Sequence, residues 1–392
     1  MKHNWEYKRL GDLCNISSSR RVLQSDWKES GVPFYRAREI VKLSENGFVN
    51  NELFISENLY DELAKSGIPQ AGDIMLSAVG TLGATYIVKP TDKFYYKDAS
   101  VICLSKISDL QPKFLCYLFD SNIILHQIDR QAKGATVGTI TISNASKFKV
   151  PVPDYKVQEQ IVAELDKINE TIEDCRELLR NLDALAQSLF YDYFGDPNTN
   201  PKGWDISTFG NIGTFTRGGG FLKRDFVDNG IPCIHYGQIH TKFNNIVRYN
   251  LTYISDSTAL KSKFAKPNDV IFAITSEDLE GSCKTIAWLG DKDVAVGGHA
   301  AIFSHSQNPV FITYYTRSNA FAIEKEKYAH GSKVVEIRPA DIANIPIYIP
   351  PLELQEKFAA RIEQIEEQKK SVEQTIAELQ TLLDSRMDYW FN

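Results

Sequence analysis

The chain has 392 residues, enough for two or three domains with cores of their own, and at 43% apolar and 24% charged it is no disordered polyelectrolyte. A formal net charge of −6 argues at first sight against nucleic acid as a partner, but the charge is unevenly spread. Lys+Arg against Asp+Glu runs 19 to 16 over residues 1–153, 4 to 11 over 154–196, 16 to 14 over 197–352 and 5 to 9 over 353–392, so the acid sits in two segments and the longer segments are mildly basic.

Along the chain, "MKHNWEYKRLGDL" carries no apolar core of a secretory signal, and no run approaches the roughly 20 apolar residues needed to span a bilayer. A cytoplasmic protein with no membrane partner is expected. The β-branched and aromatic runs "ATYIV" (84–88) and "ASVICL" (99–104) predict strands, and "QPKFLCYLFDSNIILHQI" (111–128) predicts a helix. After "VPVPD", Ile161, Leu165, Ile168, Ile172, Cys175, Leu179, Leu182, Ala186 and Leu189 recur at alternating spacings of four and three. "FGDPNTNPKGW" (194–204) reads as a turn-rich linker. Further strands are predicted at "DVIFAI" (269–274) and "HAAIFS" (299–304), and a helix at "NPVFITYYTRSNAFAIEKEKY" (308–328). After "IPIYIPPLEL" a second lattice runs through Phe358, Ile362, Ile365, Val372, Ile376, Leu379, Leu383 and Trp390, interrupted by Lys369 and Arg386. Four heptads of this kind predict a helix of about 33 residues, roughly 50 Å long, with a narrow seam for a second helix. Two such helices in one chain favour pairing with each other.

The chain is written twice. At an offset of 197, Gly134 matches Gly331, Ile140 Ile337, Pro153 Pro350, Gln158 Gln355, Ser188 Ser385 and Phe194 Phe391. Upstream the match continues with small shifts: "AGDIMLSAVGT" (71–81) with "PNDVIFAITSE" (267–277), "SGVPFYR" (30–36) with "NGIPCIH" (229–235), and "LGDLCNI" (10–16) with "FGNIGTF" (209–215). The expected fold class is α+β, a tandem repeat of two mixed α/β modules with a pair of long coiled-coil helices. The expected boundaries are 1–152 for the first module, 153–197 for the central helix and linker, 198–350 for the second module and 351–392 for the last helix.

Catalytic chemistry is hard to find. There is no HExxH and no Cys/His cluster, and the six cysteines contain no CxxC pair, which predicts reduced, mostly buried thiols. His235, His240, His299 and His305 lack counterparts in the first half and read as ordinary histidines rather than metal ligands. "RGGG" (217–220) has neither a dinucleotide-binding spacing nor a Walker lysine and reads as a loop allowing close backbone approach. No "NPPY"-type methyltransferase motif occurs, and "DPNTNP" resembles one only superficially. "EYK" (6–8) and "EQK" (367–369) match part of a nuclease site but lack an acidic partner in sequence. No catalytic residue and no metal site is therefore expected.

What remains is recognition chemistry: cations for phosphates, and Arg, Lys, Asn, Gln, Ser and Thr for base edges. In the first module these are Ser19, Arg20 and Arg21 in "SSSRR", Arg36 and Arg38 in "YRARE", and Lys133 and Thr136 in "KGATVGT". In the second they are Arg217, Lys223 and Arg224 in "TRGGGFLKR", His235 and Gln238 in "HYGQIH", Lys284 in "TSEDLEGSCK", and Lys333 and Arg338 in "GSKVVEIR". Any one cluster reads equally well as a solvated loop. Recurrence at equivalent places with different side chains points to two readers of two different sequences.

Two divergent modules, each followed by a long helix introduced by "VPVPDYKVQEQIVAEL" or "IPPLELQEKFAARI", strongly resemble the specificity subunit of type I restriction–modification systems over essentially the full length. The Gly134 and Gly331 turns, the Gln158-Glu159 and Gln355-Glu356 helix starts and the "FGDPNTNPKGW" junction carry the resemblance. "PDYKVQEQ" departs from it in lacking the second proline of the usual "PPL" form. The resemblance implies two target-recognition domains held apart by an antiparallel helix pair, each reading half of a gapped site on double-stranded DNA, with the helices as a ruler. It also implies docking of two methyltransferase subunits and of restriction or motor subunits. This chain would hold no cofactor; S-adenosylmethionine, ATP and Mg would belong to its partners. Two alternatives stay open: a type IIB-like system in which the chain serves a fused nuclease–methylase, and a coiled-coil scaffold with no DNA role.

Overall fold

The computed structural model describes residues 4–132, 138–331 and 334–391, so Lys133, Thr136 and Lys333 lie outside the described residues. The chain divides into two compact units, Met1–Arg176 with Gln374–Asn392, and Glu177–Glu373. Each unit therefore contains one module, the front half of the long helix that follows it and the back half of the other long helix.

In the first unit a four-stranded antiparallel sheet runs in the order Asn15–Ser17, Val101–Ser105, Ile74–Ser77, Thr85–Ile87. Both faces are covered, which is why these strands read as continuous apolar runs. Ile74, Leu76, Ile102 and Leu104 face one cluster with Phe114, Leu118, Ile161 and Leu165, whereas Met75, Val101 and Cys103 face another with Ile40 and Tyr86. The second unit repeats the pattern. Val270, Phe272, Ala301 and Phe303 face a cluster with Phe311, Phe358 and Ile362, while Ile271, Ala273, Ala300 and Ile302 face Ile239, Ile286 and Trp288. Each unit adds a second sheet, of three strands around Val32–Tyr35 or five around Ile231–Ile234, and a two-stranded ribbon, Glu6–Arg9 with Lys149–Val152 or Asp205–Thr208 with Pro346–Ile349.

The repeat extends to individual hydrogen bonds. The Gln158 side chain, fully buried, accepts from the Gln111 amide (2.8 Å) and donates to the carbonyls of Asp109 (2.8 Å) and Pro153 (2.9 Å). Gln355, equally buried, accepts from the Asn308 amide (2.9 Å) and donates to Gln307 Oε1 (2.7 Å) and the Pro350 carbonyl (2.9 Å). These glutamines tie the start of each long helix to the N-terminus of a module helix, saturating backbone groups that the helix starts leave open. The Leu10 and Phe209 amides donate to the equivalent carbonyls of Phe148 and Ile345. The glycines that follow them sit where a Cβ would come within 2.8 Å of Ser146 (Gly11) and 3.0 Å of Ala343 (Gly210).

Two sequence expectations change in detail. The helices predicted over 111–128 and 308–328 each break at a serine, giving Pro112–Asp120 then Asn122–Ala132, and Pro309–Tyr315 then Asn319–Glu326. Ser121 and Ser318, 197 apart and both buried, leave helical geometry, and the Ser318 hydroxyl caps the next helix by accepting from Phe321. The long helices, Tyr155–Phe194 and Leu352–Phe391, have 40 residues each rather than about 33. The first stops at Gly195, whose φ of +78° and 2.7 Å approach to Pro201 suit glycine alone.

The apolar lattice of these helices serves two purposes. Ile161 and Leu165 are core residues of the first unit, and Leu182, Phe358, Ile362 and Ile365 of the second. Ile168 and Ile172 are buried, while Leu179, Val372, Ile376 and Leu379 keep intermediate exposure, as a two-helix seam without a covering sheet leaves them. In the second unit the pairing is antiparallel: Asp183 meets Lys369 (2.8 Å) and, further along, Phe190 meets Phe358 (6.0 Å between rings). In the first unit Glu164 accepts from Arg386 Nη2 (3.0 Å) and Trp390 Nε1 (3.0 Å). Lys369 and Arg386, the two breaks in the heptad pattern, are thus the cations of the interhelical ion pairs. Lys369 also bonds Glu366 (3.0 Å), so the "EQK" tripeptide is part of the helix pairing.

Candidate nucleic-acid interface

The predicted contact residues of the first module fall into two groups. Arg20 and Arg21 are exposed on the segment after Asn15–Ser17. The Arg20 backbone is fixed by its amide donating to Tyr95 Oη (2.9 Å), and Ser19 Oγ donates to the Tyr96 carbonyl (2.7 Å). Arg21 has no ion-pair partner among the described residues, so its charge is available to a phosphate. Arg36 and Arg38 are differently placed. Arg36 reaches Glu39 through Nε (3.0 Å) and Nη2 (2.8 Å), and Arg38 Nε reaches the same carboxylate (2.6 Å) while its Nη2 bonds Glu52. Glu39 is buried, which alone would raise its pKa, but the hydrogen bonds from Arg36 and Arg38 outweigh that and hold it below the ordinary carboxylate value. A phosphate at this spot would compete with Glu39 and Glu52.

In the second module Lys223 and Arg224 are exposed on the turn Lys223–Asp225, without an ion-pair partner among the described residues. His235 and Gln238 are engaged in the fold. Gln238 Oε1 accepts from the His235 amide (2.8 Å), His235 Nδ1 accepts from the Gly237 amide (3.2 Å), and Gln238 Nε2 donates to Thr252 Oγ1 (3.1 Å). Burial, then the neighbouring His299 and Lys223, lower the His235 pKa. Arg36/Glu39 and His235/Gln238 occupy the same two positions of equivalent helices, Ala37–Asn46 and Tyr236–Thr241, and both pairs form a capping box. Their recurrence therefore has a structural cause as well as any functional one.

The other predicted contacts of the second module among the described residues are Arg217 in the "RGGG" loop, Lys284 and Arg338. Gly218 lies where a Cβ would meet the Gly297 carbonyl at 2.3 Å, the close backbone approach expected of it. Beside it, Arg217 donates to the Gly298 carbonyl (3.0 Å) and pairs with Glu336 (3.1 Å). Lys284 Nζ donates to the His240 carbonyl (3.1 Å), and burial, with Arg317 nearby, lowers its pKa. Arg338 is exposed at the start of the short helix Pro339–Ile342. The structure also brings together side chains outside the predicted set. The Tyr236 ring lies 5.0 Å from His299 and 6.0 Å from His240, and Thr275 Oγ1 lies 3.2 Å from His299 Nδ1. Three of the four histidines weighed as metal ligands thus surround Tyr236, whereas His305 packs on Phe303 (5.0 Å). Among the described residues no group of three or more His, Cys, Asp or Glu is placed to hold a metal ion. In the first unit a recess of 460 Å³ between Tyr117, Asp120, Asn169, Leu383 and Asp384 carries acid instead.

The family model of the type I restriction modification DNA specificity domain matches this chain twice, over residues 2–182 and 201–381. The chain belongs to that family. Each match begins with one module and takes in most of the long helix that follows it, so the family's unit is the sequence repeat. Among curated members, the MjaVIII type I restriction enzyme specificity subunit of Methanocaldococcus jannaschii is 22% identical over 97% of this chain and 92% of its own length. A Haemophilus influenzae protein named for a type I restriction enzyme specificity subunit, S.HindORF215P, is 29% identical over 40% of this chain, and the match spans only 38% of that relative. The fold is shared with a chain solved in work on complex assembly and conformational transition of the type I R-M system: TM-score 0.60, 20% identity, 99% of this chain and 97% of that one covered. No helix among the described residues is long and apolar enough to cross a membrane.

Proposed function

We propose that the chain is the DNA-reading subunit of a type I restriction–modification complex, in which each unit reads one half of a bipartite, gapped site on double-stranded DNA. The observation that carries this is the doubling itself: two units with the same glutamine-tied frame present different side chains at equivalent loops. Arg20 and Arg21 in the first unit and Lys223 and Arg224 in the second supply phosphate contacts, with Arg217 and Arg338 as further cations of the second unit. The antiparallel helix pair sets the gap between half-sites. Its acidic faces repel DNA and suit protein partners: two methyltransferase subunits, which bring S-adenosylmethionine and adenine methylation, and the restriction subunits, which bring ATP, Mg and cleavage. The chain itself contributes recognition and no catalytic group. None of the relatives described above favours a type IIB-like partner.

Methylation mapping of the host genome with and without this gene tests the proposal. A bipartite methylated adenine motif that disappears with the gene is the expected result. An unchanged methylome in a host with an intact methyltransferase gene overturns it.

A further inference from the structure

His299 stands out because the fold aims it while the frame does not need it. It sits at the start of the strand Ala300–His305 and is exposed, whereas Thr275 behind it is buried. The position is defined by the repeat. The Ile274 amide donates to the His299 carbonyl (3.1 Å), as the Ala78 amide donates to the Ser100 carbonyl (2.9 Å) in the first unit. Thr275 corresponds to Val79, since each pairs with one of two residues 197 apart, Thr275 with Glu336 and Val79 with Thr139. Tyr236 corresponds to Ala37, each following the N-cap of its helix. The backbone is the same, yet Tyr236, Thr275 and His299 stand where the other unit has Ala37, Val79 and Ser100.

The polar contacts assign the ring. The Thr275 hydroxyl has His299 Nδ1 as its hydrogen-bond partner among the described residues, and the Thr275 carbonyl is already taken by His240 Nε2 (3.0 Å). A buried hydroxyl places its proton on an available acceptor, so in the tautomer that satisfies Thr275 the hydroxyl donates to Nδ1 and Nε2 carries the N–H. Tyr236, its ring tilted by 50° against the imidazole at 5.0 Å, packs on one side of it and limits its rotation. The result is one N–H donor, oriented from behind, on the exposed side of the module, close to Gly298 and the Arg217 side chain that bonds it.

We propose that His299, held by Thr275 and Tyr236, is a base-reading side chain of the second half-site, donating from Nε2 to a base that offers an acceptor edge: purine N7, guanine O6 or thymine O4. The inference rests on the function proposed above and deepens it. Thr275 and Tyr236 are positioning residues. The first unit, with Ser100 at this place, reads its half-site by other side chains.

The test is selection of bound duplexes from a library randomised across both half-sites, using the full-length chain and its His299→Ser and Thr275→Val variants. His299→Ser places the first unit's residue on the same backbone. It is expected to lower the preference at one base pair of one half-site by about tenfold, the worth of a single hydrogen bond, leaving the other half-site unchanged. Thr275→Val releases the ring and weakens the preference at that same base pair. A bipartite motif identical to wild type with both variants overturns the role of His299 and leaves the two-reader function standing. Loss of preference in both half-sites also overturns it, as a general effect on folding. A wild-type chain that selects no motif overturns the proposed function and this inference with it.

Discussion

The frames of the two units are near copies, and the side chains they carry at equivalent helix caps are not. Gln158 and Gln355 make equivalent bonds through identical side chains, but at the N-caps of equivalent helices Arg36 and Glu39 in one unit stand against His235 and Gln238 in the other. The lesson is a division of labour within one backbone. The glutamine at each long-helix start is kept because it closes the same buried amide and proline carbonyl, whereas the capping box is met by either of two side-chain pairs, so those positions vary while the backbone stays the same.

The largest effects are expected where this division is broken at the frame. Gln158→Leu strands the Gln111 amide and two main-chain carbonyls, and Gln355→Leu strands the Asn308 amide, the Pro350 carbonyl and the Gln307 side-chain oxygen. Each is expected to destabilise its unit by about 3–5 kcal/mol, read by denaturant unfolding. Similar losses at both sites support equivalence of the frames, and a small loss at either one contradicts it. Acid should strain the second unit more than the first. Burial, only partly offset by the nearby Gln307 backbone, pushes the His305 imidazole down to about 4. A depressed histidine leaves stability intact above its unfolded pKa of about 6.5, and stability falls as pH drops from there towards about 4, by about 3 kcal/mol in all. His305→Phe, which keeps a ring on Phe303, should remove that dependence; a pH profile unchanged by the substitution would show that this ring is not its source.

Next in size is the helix pairing. Lys369→Met leaves Asp183 and Glu366 unpaired, but Asp183 is largely exposed, so about 1–2 kcal/mol is expected. A stabilising Lys369→Met would mean that the lysine opposes helix pairing. The smallest effects belong to the reading face. Replacing Arg20 and Arg21, or Lys223 and Arg224, with Glu should leave stability within about 0.5 kcal/mol of wild type. The slope of log affinity against log salt should flatten by about one for each phosphate that is no longer neutralised. An unchanged slope for both pairs would place the phosphates elsewhere.

Much of the frame was legible in the sequence because it repeats. The offset of 197, the heptad lattice and the proline-ended strands mark the two modules and both long helices. The breaks at Ser121 and Ser318 were hidden, since a serine in an apolar run resembles a helix interior until its neighbours decide. Lys369 and Arg386 looked like faults in a heptad and are partners of Asp183 and Glu164, acids on the other helix that no local pattern connects to them. The reading face was the least legible. "YRARE" and "HYGQIH" recur because both cap a helix, a signal that sequence alone cannot separate from recognition. His299, Thr275 and Tyr236 come from three distant segments that only the fold brings together.

The central claim is that each module reads one half-site. Exchange of residues 1–152 for the corresponding module of another family member, followed by methylation mapping of the host genome, tests it most directly. A new sequence in one half of the motif, with the other half and the gap retained, is the predicted result. A change in both halves would contradict it.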